Sequence, residues 1–347
     1  RISGLGARLR PHVKTHKTAA AARIQTRGHF GGVTVSTLAE ARFFADAGFD
    51  DITYAVPIPA NRLAEAARLA DRLRAFHVLV DHPNVVADVE RFCADRGTRL
   101  SVFLKVDCGL HRSGVDPSAA ESIGLAARLS GSPYVDFRGL LAHAGHAYSS
   151  SSRDDASRIA AEERDTTVRF AGRLRASGIK VPEVSIGSTP TITAVDHLRG
   201  VTEVRPGNYV FFDVFQSAIG SCQLDDVAFS VLATVIGVFN DRRQLVVDAG
   251  ALALSKDPGP VHIDPGCGFG VVADPDDQRP IPELAVVSLS QEHGIIRSRK
   301  ALNPDWRPGT RLRIFPNHSC LAAACFDRYH VLRGAEFVDE WRPVRGW

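Results

Sequence analysis

Between residues 9 and 210 short apolar runs recur eight times, and that count constrains the fold more than any other feature of the chain. The runs lie at 9–15, 32–36, 51–56, 77–80, 100–106, 137–143, 183–187 and 201–205. Most are separated by stretches rich in alanine and arginine, including 37–47, 84–94, 119–129 and 154–176, with apolar residues three and four apart. That spacing is the signature of amphipathic helices. Eight strands alternating with helices predict a (β/α)8 barrel of the TIM type. Only the connection at 190–200 is short for a helix. Beyond residue 222 the pattern changes: runs at 229–239, 244–247, 284–290 and 312–315 are rich in β-branched residues, and Gly, Pro and Asp turns separate them. No amphipathic helix stands out there. The expected fold class is α/β plus all-β, with an N-terminal barrel over residues 1–222 and a C-terminal β domain over 223–347. A chain of 347 residues is long enough for two such cores.

Composition narrows the class. Apolar residues make up 44% and charged residues 23%, as in ordinary soluble globular proteins. There is no run of 18 apolar residues and no signal-peptide pattern, so the expected location is the cytoplasm, with no membrane partner. The chain begins at Arg1 and contains no methionine, so a leading segment is expected to be missing. A net charge of +3, dispersed and without a basic block interleaved with aromatics, argues against a nucleic-acid partner. Six cysteines form no Cys-x-x-Cys pair, which argues against a zinc ribbon or a disulfide framework.

In a barrel the reactive groups gather at the C-terminal ends of strands. Those ends carry Lys14 and His16, Ser36, Tyr54, Asp81, Asp107, His143, Ser188 with Thr189, and Arg205 with Gly207. Lys14 stands out because only six of the 42 basic residues are lysines, and an amine that can be neutralised and act as a nucleophile is what arginine cannot supply. Lys14 and Lys17 also fit a plain reading as surface charges beside a strand. On an extended strand His12, Lys14 and His16 share one face, which aims Lys14 into the barrel mouth. The last two strands end in Gly187-Ser188-Thr189-Pro190-Thr191 and Arg205-Pro206-Gly207-Asn208-Tyr209, where barrels commonly hold phosphate. Ser or Thr before Pro is also a common helix start, the more frequent reading of GSTPT taken alone. A phosphate site facing a lysine points to pyridoxal 5'-phosphate.

The runs RPHVKTHK, DCGLHRSG, GSTPT and RPGNY, together with Pro316-Asn317-His318-Ser319-Cys320, resemble the D-serine dehydratase/D-threonine aldolase group. That group belongs to the fold-type III, alanine-racemase-like pyridoxal-phosphate enzymes. The resemblance spans essentially the whole chain. It implies that Lys14 holds the cofactor covalently and that Thr189, Gly207 and Asn208, with neighbouring Ser188, bind its phosphate. It also implies that Tyr148 and His143, in the run His143-Ala144-Gly145-His146-Ala147-Tyr148, contact the cofactor and that Arg112 sits beside its ring. The usual unit of the group is a homodimer.

His318 and Cys320 decide between members of the group. A lone His-x-Cys pair is more often packing than a metal site, because cysteine is among the most buried residue types. Within the resemblance it implies a Zn2+ site of the dehydratase kind, since imidazole plus thiolate suits a borderline-soft ion and the aldolases resemble His-x-Asp sites. The implied reaction is the zinc- and pyridoxal-phosphate-dependent dehydration and deamination of a small D-3-hydroxy amino acid such as D-serine to a 2-keto acid and ammonia. Lys14, His318 and Cys320 are its catalytic residues. The alternatives are a metal-dependent D-threonine or 3-hydroxy-D-aspartate aldolase, an amino-acid racemase, or a non-enzymatic cofactor carrier. His12 and His16 remain open between cofactor contact and structural use. Gln291-Glu292-His293-Gly294 remains open as a neighbour of the metal.

Overall fold

Pro11 explains how the first apolar run is built. It offers no N–H to a ladder, so in a computed structural model, which describes residues 1–346, strand β1 is only Arg8–Leu9. The chain then runs on between two neighbours. Arg10 and His12 donate to the carbonyls of Val204 and Pro206 on one side, while Val13 donates to Thr34 and Pro11 accepts from Thr34 on the other, each at 2.9 Å. The remaining parallel strands are β2 (Val33–Val35), β3 (Asp51–Pro57), β4 (Ala75–Val80), β5 (Leu100–Val106), β6 (Val135–Ala142), β7 (Glu183–Ile186) and β8 (Glu203–Val204). They lie in the order β1-β8-β7-β6-β5-β4-β3-β2, and the parallel bridge between His12 and Thr34 joins the two edges. The (β/α)8 expectation is borne out.

Helices α1 (Ala19–Thr26), α2 (Leu38–Asp46), α3 (Leu63–Arg72), α4 (Pro83–Arg96), α5 (Ala120–Gly131), α6 (Arg153–Ala176) and α7 (Thr189–Ala194) connect the strands. Thr18 and Thr37 cap α1 and α2 by accepting from Ala21 and Glu40 N–H groups. The 190–200 stretch does hold a helix, α7, made possible by a capping box between Ser188 and Thr191 with Pro190 in the first turn.

A polar column runs through the barrel. Arg10 pairs with Asp51 and with Glu203 (2.8 Å), Glu203 accepts from Ser185 Oγ (2.7 Å), and Ser185 Oγ accepts from Arg205 Nε (2.7 Å). All five are buried. Burial disfavours the ionised Glu203, yet Arg10 and Ser185 hold its carboxyl below the usual range. The column ties strands β3, β7 and β8 and the segment after β1 together below the mouth.

The second unit contains α8 (Val214–Ala218), α9 (Ala251–Leu254) and α10 (Ser319–Ala324). Its strands β9 (Val231–Phe239), β10 (Gln244–Val247), β11 (Val271–Ala273), β12 (Pro280–Leu289), β13 (Gly294–Ser298) and β14 (Arg311–Phe315) close an antiparallel barrel in the order β10-β13-β12-β11-β14-β9. The alternation is plain in β9, where Val231, Ala233 and Val235 are buried while Leu232 and Ile236 face outward. A hairpin of β15 (Tyr329–Arg333) and β16 (Glu336–Trp341) follows. The three short helices went unseen in the sequence because four to six residues carry too little periodicity.

The two units part at Gly207/Asn208, so residues 208–222, assigned to the barrel by sequence, pack with the β unit. Asp213 is the reason: it caps α8 through Gln216 N–H (2.9 Å) and also accepts from the Ser319 N–H (2.9 Å). The segment from Val344 returns to the first unit, where Val344 N–H donates to Lys17 O at 2.9 Å. No helix among the described residues is long and apolar enough to cross a membrane.

Candidate active site

Lys14 sits not on a strand but in a tight turn. Lys17 N–H closes back onto Val13 O at 2.8 Å and Lys17 itself takes a positive φ of 54°. The shared face expected for His12, Lys14 and His16 is therefore lost. Lys14 is exposed, whereas His16 is fully buried with Nε2 2.8 Å from Gln25 Oε1 and Nδ1 accepting from Thr18 N–H. Burial lowers the His16 pKa to about 4. It is a structural histidine. His12 stays beside the lysine, with Nε2 3.3 Å from Ser36 Oγ.

Around Lys14 the barrel mouth is rich in cations. Arg205 is buried at the end of β8, Lys105 is buried on β5, and Arg112 is exposed on the loop after β5. Burial, followed by the charges of Lys14 and Arg205, holds His12 and His143 well below the ordinary histidine range, so both rings are neutral. Burial likewise brings Lys105 down to about 8 and pushes the Cys108 thiol up to about 12. Converging cations around two neutral imidazoles suit an anionic aromatic cofactor, so the residues present fit a phosphorylated pyridine. The loop bearing Arg112 is fixed by Asp107, which accepts from the N–H groups of Gly109 (2.9 Å) and His111 (3.0 Å). Gly114 admits no side chain, because a Cβ would lie 2.5 Å from the Asp107 nitrogen.

Two expected phosphate ligands, Ser188 and Asn208, have side chains engaged with protein partners. Ser188 N–H donates to Thr191 Oγ1 (2.9 Å) and its hydroxyl caps α7, so Ser188 shapes the loop. Thr189 is buried in the first turn of α7, and Tyr148 is half-buried in the loop after β6. Glu163, which the sequence reading missed, binds that loop to the end of β7: its Oε1 accepts from Ala144 N–H (2.8 Å) and Gly187 N–H (3.1 Å). A cavity of about 710 Å³ opens at the opposite, N-terminal ends of the strands. Its lining arginines Arg8, Arg10 and Arg138 are paired with Glu183 or Asp51. It is no part of the lysine site.

In the β unit, His318 and Cys320 lie on a helix start rather than on the extended segment expected from sequence. His318 is the N-cap residue of α10 and Cys320 is within its first turn. The two side chains nevertheless meet in a hydrogen bond. Burial disfavours the charged imidazole, but hydrogen bonds to Asp257 and Cys320 outweigh it and raise the His318 pKa to about 10. The side chain of Asn208, expected at the phosphate, belongs to this cluster. Its Nδ2 donates to Asp213 Oδ2 (2.7 Å) and Ser319 Oγ (3.1 Å) and lies 3.6 Å from Cys320 Sγ. No group of three or more His, Cys, Asp or Glu residues that could hold a metal exists among the described residues. Imidazole and sulfur side by side are a donor set suited to a borderline-soft ion, whose other ligands would have to come from solvent and substrate. His293 is exposed at the β12–β13 turn. Asp257 carried no sequence signal, being 61 residues from His318.

Residues 1–214 match the family model "Alanine racemase, N-terminal domain", and residues 228–332 match a serine dehydratase domain model. The D-serine dehydratase of Dictyostelium discoideum is 36% identical, with 100% of this chain and 92% of that protein covered. The D-threo-3-hydroxyaspartate dehydratase of Delftia sp. HT23 is 39% identical, again over 100% and 92%. Its solved structure superposes with a TM-score of 0.94 at 38% identity, over 100% of this chain and 92% of that one. A cysteine-to-alanine variant of a D-threo-3-hydroxyaspartate dehydratase, solved in a metal-free form, superposes with a TM-score of 0.94 at 38% identity, over 100% of this chain and 92% of that one. A D-threonine aldolase from Filomicrobium marinum is more distant, at TM-score 0.82 and 26% identity over 98% and 89% of the two chains.

Proposed function

Because the chain belongs to the family that joins an alanine racemase N-terminal domain to a serine dehydratase domain, we propose that it is a lyase acting on a D-3-hydroxy amino acid such as D-serine. The products are a 2-keto acid and ammonia. The observation that carries the choice of dehydratase is the His318–Cys320 contact, a sulfur-bearing pair rather than a carboxylate-bearing one.

Lys14 would hold pyridoxal phosphate, with the Thr189 and Gly207 segments around its phosphate and Arg112, His143 and Tyr148 around its ring. Bound there, the cofactor supplies an electron sink for the carbanion at Cα. The Lys14 amine, exposed in its turn, takes the Cα proton. Neutral His12 and His143 place uncharged rings beside it. His318 and Cys320 would hold zinc, which supplies Lewis acidity toward the departing β-hydroxyl. Asn208 keeps the Cys320 sulfur in place through its Nδ2. Once the β-hydroxyl has left, the released enamine hydrolyses to the keto acid and ammonia. The resemblance also supports a homodimer, and we infer a cytoplasmic location.

The test is one screen of D-serine, D-threonine and D-threo-3-hydroxyaspartate, scoring keto acid with ammonia against glycine with aldehyde. Chelation is expected to remove dehydration but not the cofactor, and added zinc to restore it. Cys320→Ala should lose elimination while Cα–H exchange in deuterated water persists, because deprotonation needs only the lysine and the ring. Glycine and aldehyde from the intact enzyme would establish the aldolase instead.

A further inference from the structure

The geometry of the β unit points to Asp257 as the positioning residue that orients His318, fixing its ring so that Nε2 is presented to the metal beside Cys320. This rests on the reading of His318 and Cys320 as metal ligands. His318 Nδ1 lies 2.9 Å from Asp257 Oδ2. An ionised carboxylate only accepts hydrogen bonds, so the proton between them sits on Nδ1. A metal-ligating imidazole is neutral and carries one N–H, so with Nδ1 holding that proton the metal would be taken by Nε2. His318 occupies an N-cap position yet makes no side-chain cap, so its ring is not diverted to the backbone of α10.

Asp257 can set an angle because it is itself held on several sides. Its Oδ1 accepts from Gly259 N–H at 2.8 Å, and its N–H donates to Ser255 Oγ at 3.2 Å. Its carbonyl accepts from Asn317 Nδ2 at 3.2 Å, and the same amide donates to Gly268 O at 2.8 Å. Asn317 is the residue before His318 and is 1% exposed. The backbone that carries the imidazole and the loop that carries the carboxylate are therefore fastened together. There is no slack between them: a Cβ at Gly259 would fall 2.4 Å from Asn317 Nδ2. Across the pair, Asn208 Nδ2 holds the Cys320 sulfur. Both ligands are thus restrained from behind, and their side chains meet each other in a hydrogen bond.

The measurement is the zinc dissociation constant of the full-length protein, by competition with a chromophoric chelator, for the wild type and for Asp257→Asn, Asp257→Ala and His318→Ala. Loss of such an outer partner typically weakens metal binding about 10–100-fold. That loss is expected in both Asp257 variants, with the bound-cofactor absorbance unchanged. Zinc affinity equal to wild type in folded Asp257→Asn and Asp257→Ala would overturn the assignment. His318→Ala separates the two levels: if it binds zinc as tightly as the wild type, the metal reading falls and the role of Asp257 falls with it. A second readout needs no variant. Nitrogen NMR of the zinc-loaded wild type should show His318 protonated at Nδ1 and metal-bound at Nε2. The opposite assignment would sink the proposal, and a residue that merely braced the loop would not dictate the tautomer.

Discussion

Replacing Gly207 with alanine probes the joint between the end of β8 and the lysine turn. A Cβ there would stand 2.9 Å from the His12 carbonyl oxygen, 3.0 Å from His12 Cβ and 3.5 Å from Thr15 Oγ1. Gly207 has no left-handed φ, so crowding is the only obstacle. His12 would have to retreat by a few tenths of an ångström. It is poorly able to do so, because its N–H is bonded to Pro206 O and the next N–H, on fully buried Val13, to Thr34 O. Overpacking of this kind costs about 1–3 kcal/mol. The displaced residue is two before Lys14, so the strain falls where the cofactor is expected to bind. About 1.4 kcal/mol expressed in that equilibrium weakens binding roughly tenfold. The assay titrates apoprotein with pyridoxal phosphate by absorbance and, in parallel, with zinc. A tenfold rise in the cofactor constant with an unchanged zinc constant is expected. An unchanged cofactor constant would refute the placement of the phosphate loop against the lysine turn.

Two further outcomes follow from the barrel. Lys14→Ala should abolish borohydride trapping of the cofactor and all turnover while leaving the unfolding midpoint unchanged, because the side chain is exposed and contributes little core; trapping at another lysine would contradict the anchor. Glu203 has a folded pKa below its ordinary 4.5, so its contribution to stability is complete above that pH and is lost as the pH falls through the lower folded value. Urea unfolding of Glu203→Gln should therefore show lower stability than wild type at pH 7 and a shallower decline on acidification; parallel acid limbs would argue against this pairing.

The barrel was legible in the sequence because its signal repeats. Eight apolar runs at strand length and intervening helical spacing are local patterns, and each supports the others. The lysine turn was not legible, since residues 9–15 read as one alternating strand. Only Pro11, read as an interruption of the ladder, hinted that the chain would bend before Lys14. Side-chain partnerships left still less trace. Ser188 and Asn208 sit in phosphate-like loops, yet their side chains turn to Thr191 and to the Asp213–Ser319–Cys320 group, and no nearest-neighbour pattern encodes that choice. The His-x-Cys pair was conspicuous as letters, although its geometry comes from a helix start rather than a strand. Asp257, Glu163 and Lys105 act across distances at which one sequence offers no periodicity to read.

The hydrogen bond from Val344 to Lys17 gives the molecule an order of maturation. Lys17 leaves the ribosome long before Val344 does. In the interval the barrel strands can pair and the β unit can close, but the carbonyl at the base of the lysine turn lacks its final donor. The turn that carries Lys14 thus gains this backbone tie only after residues 208–343 have been made.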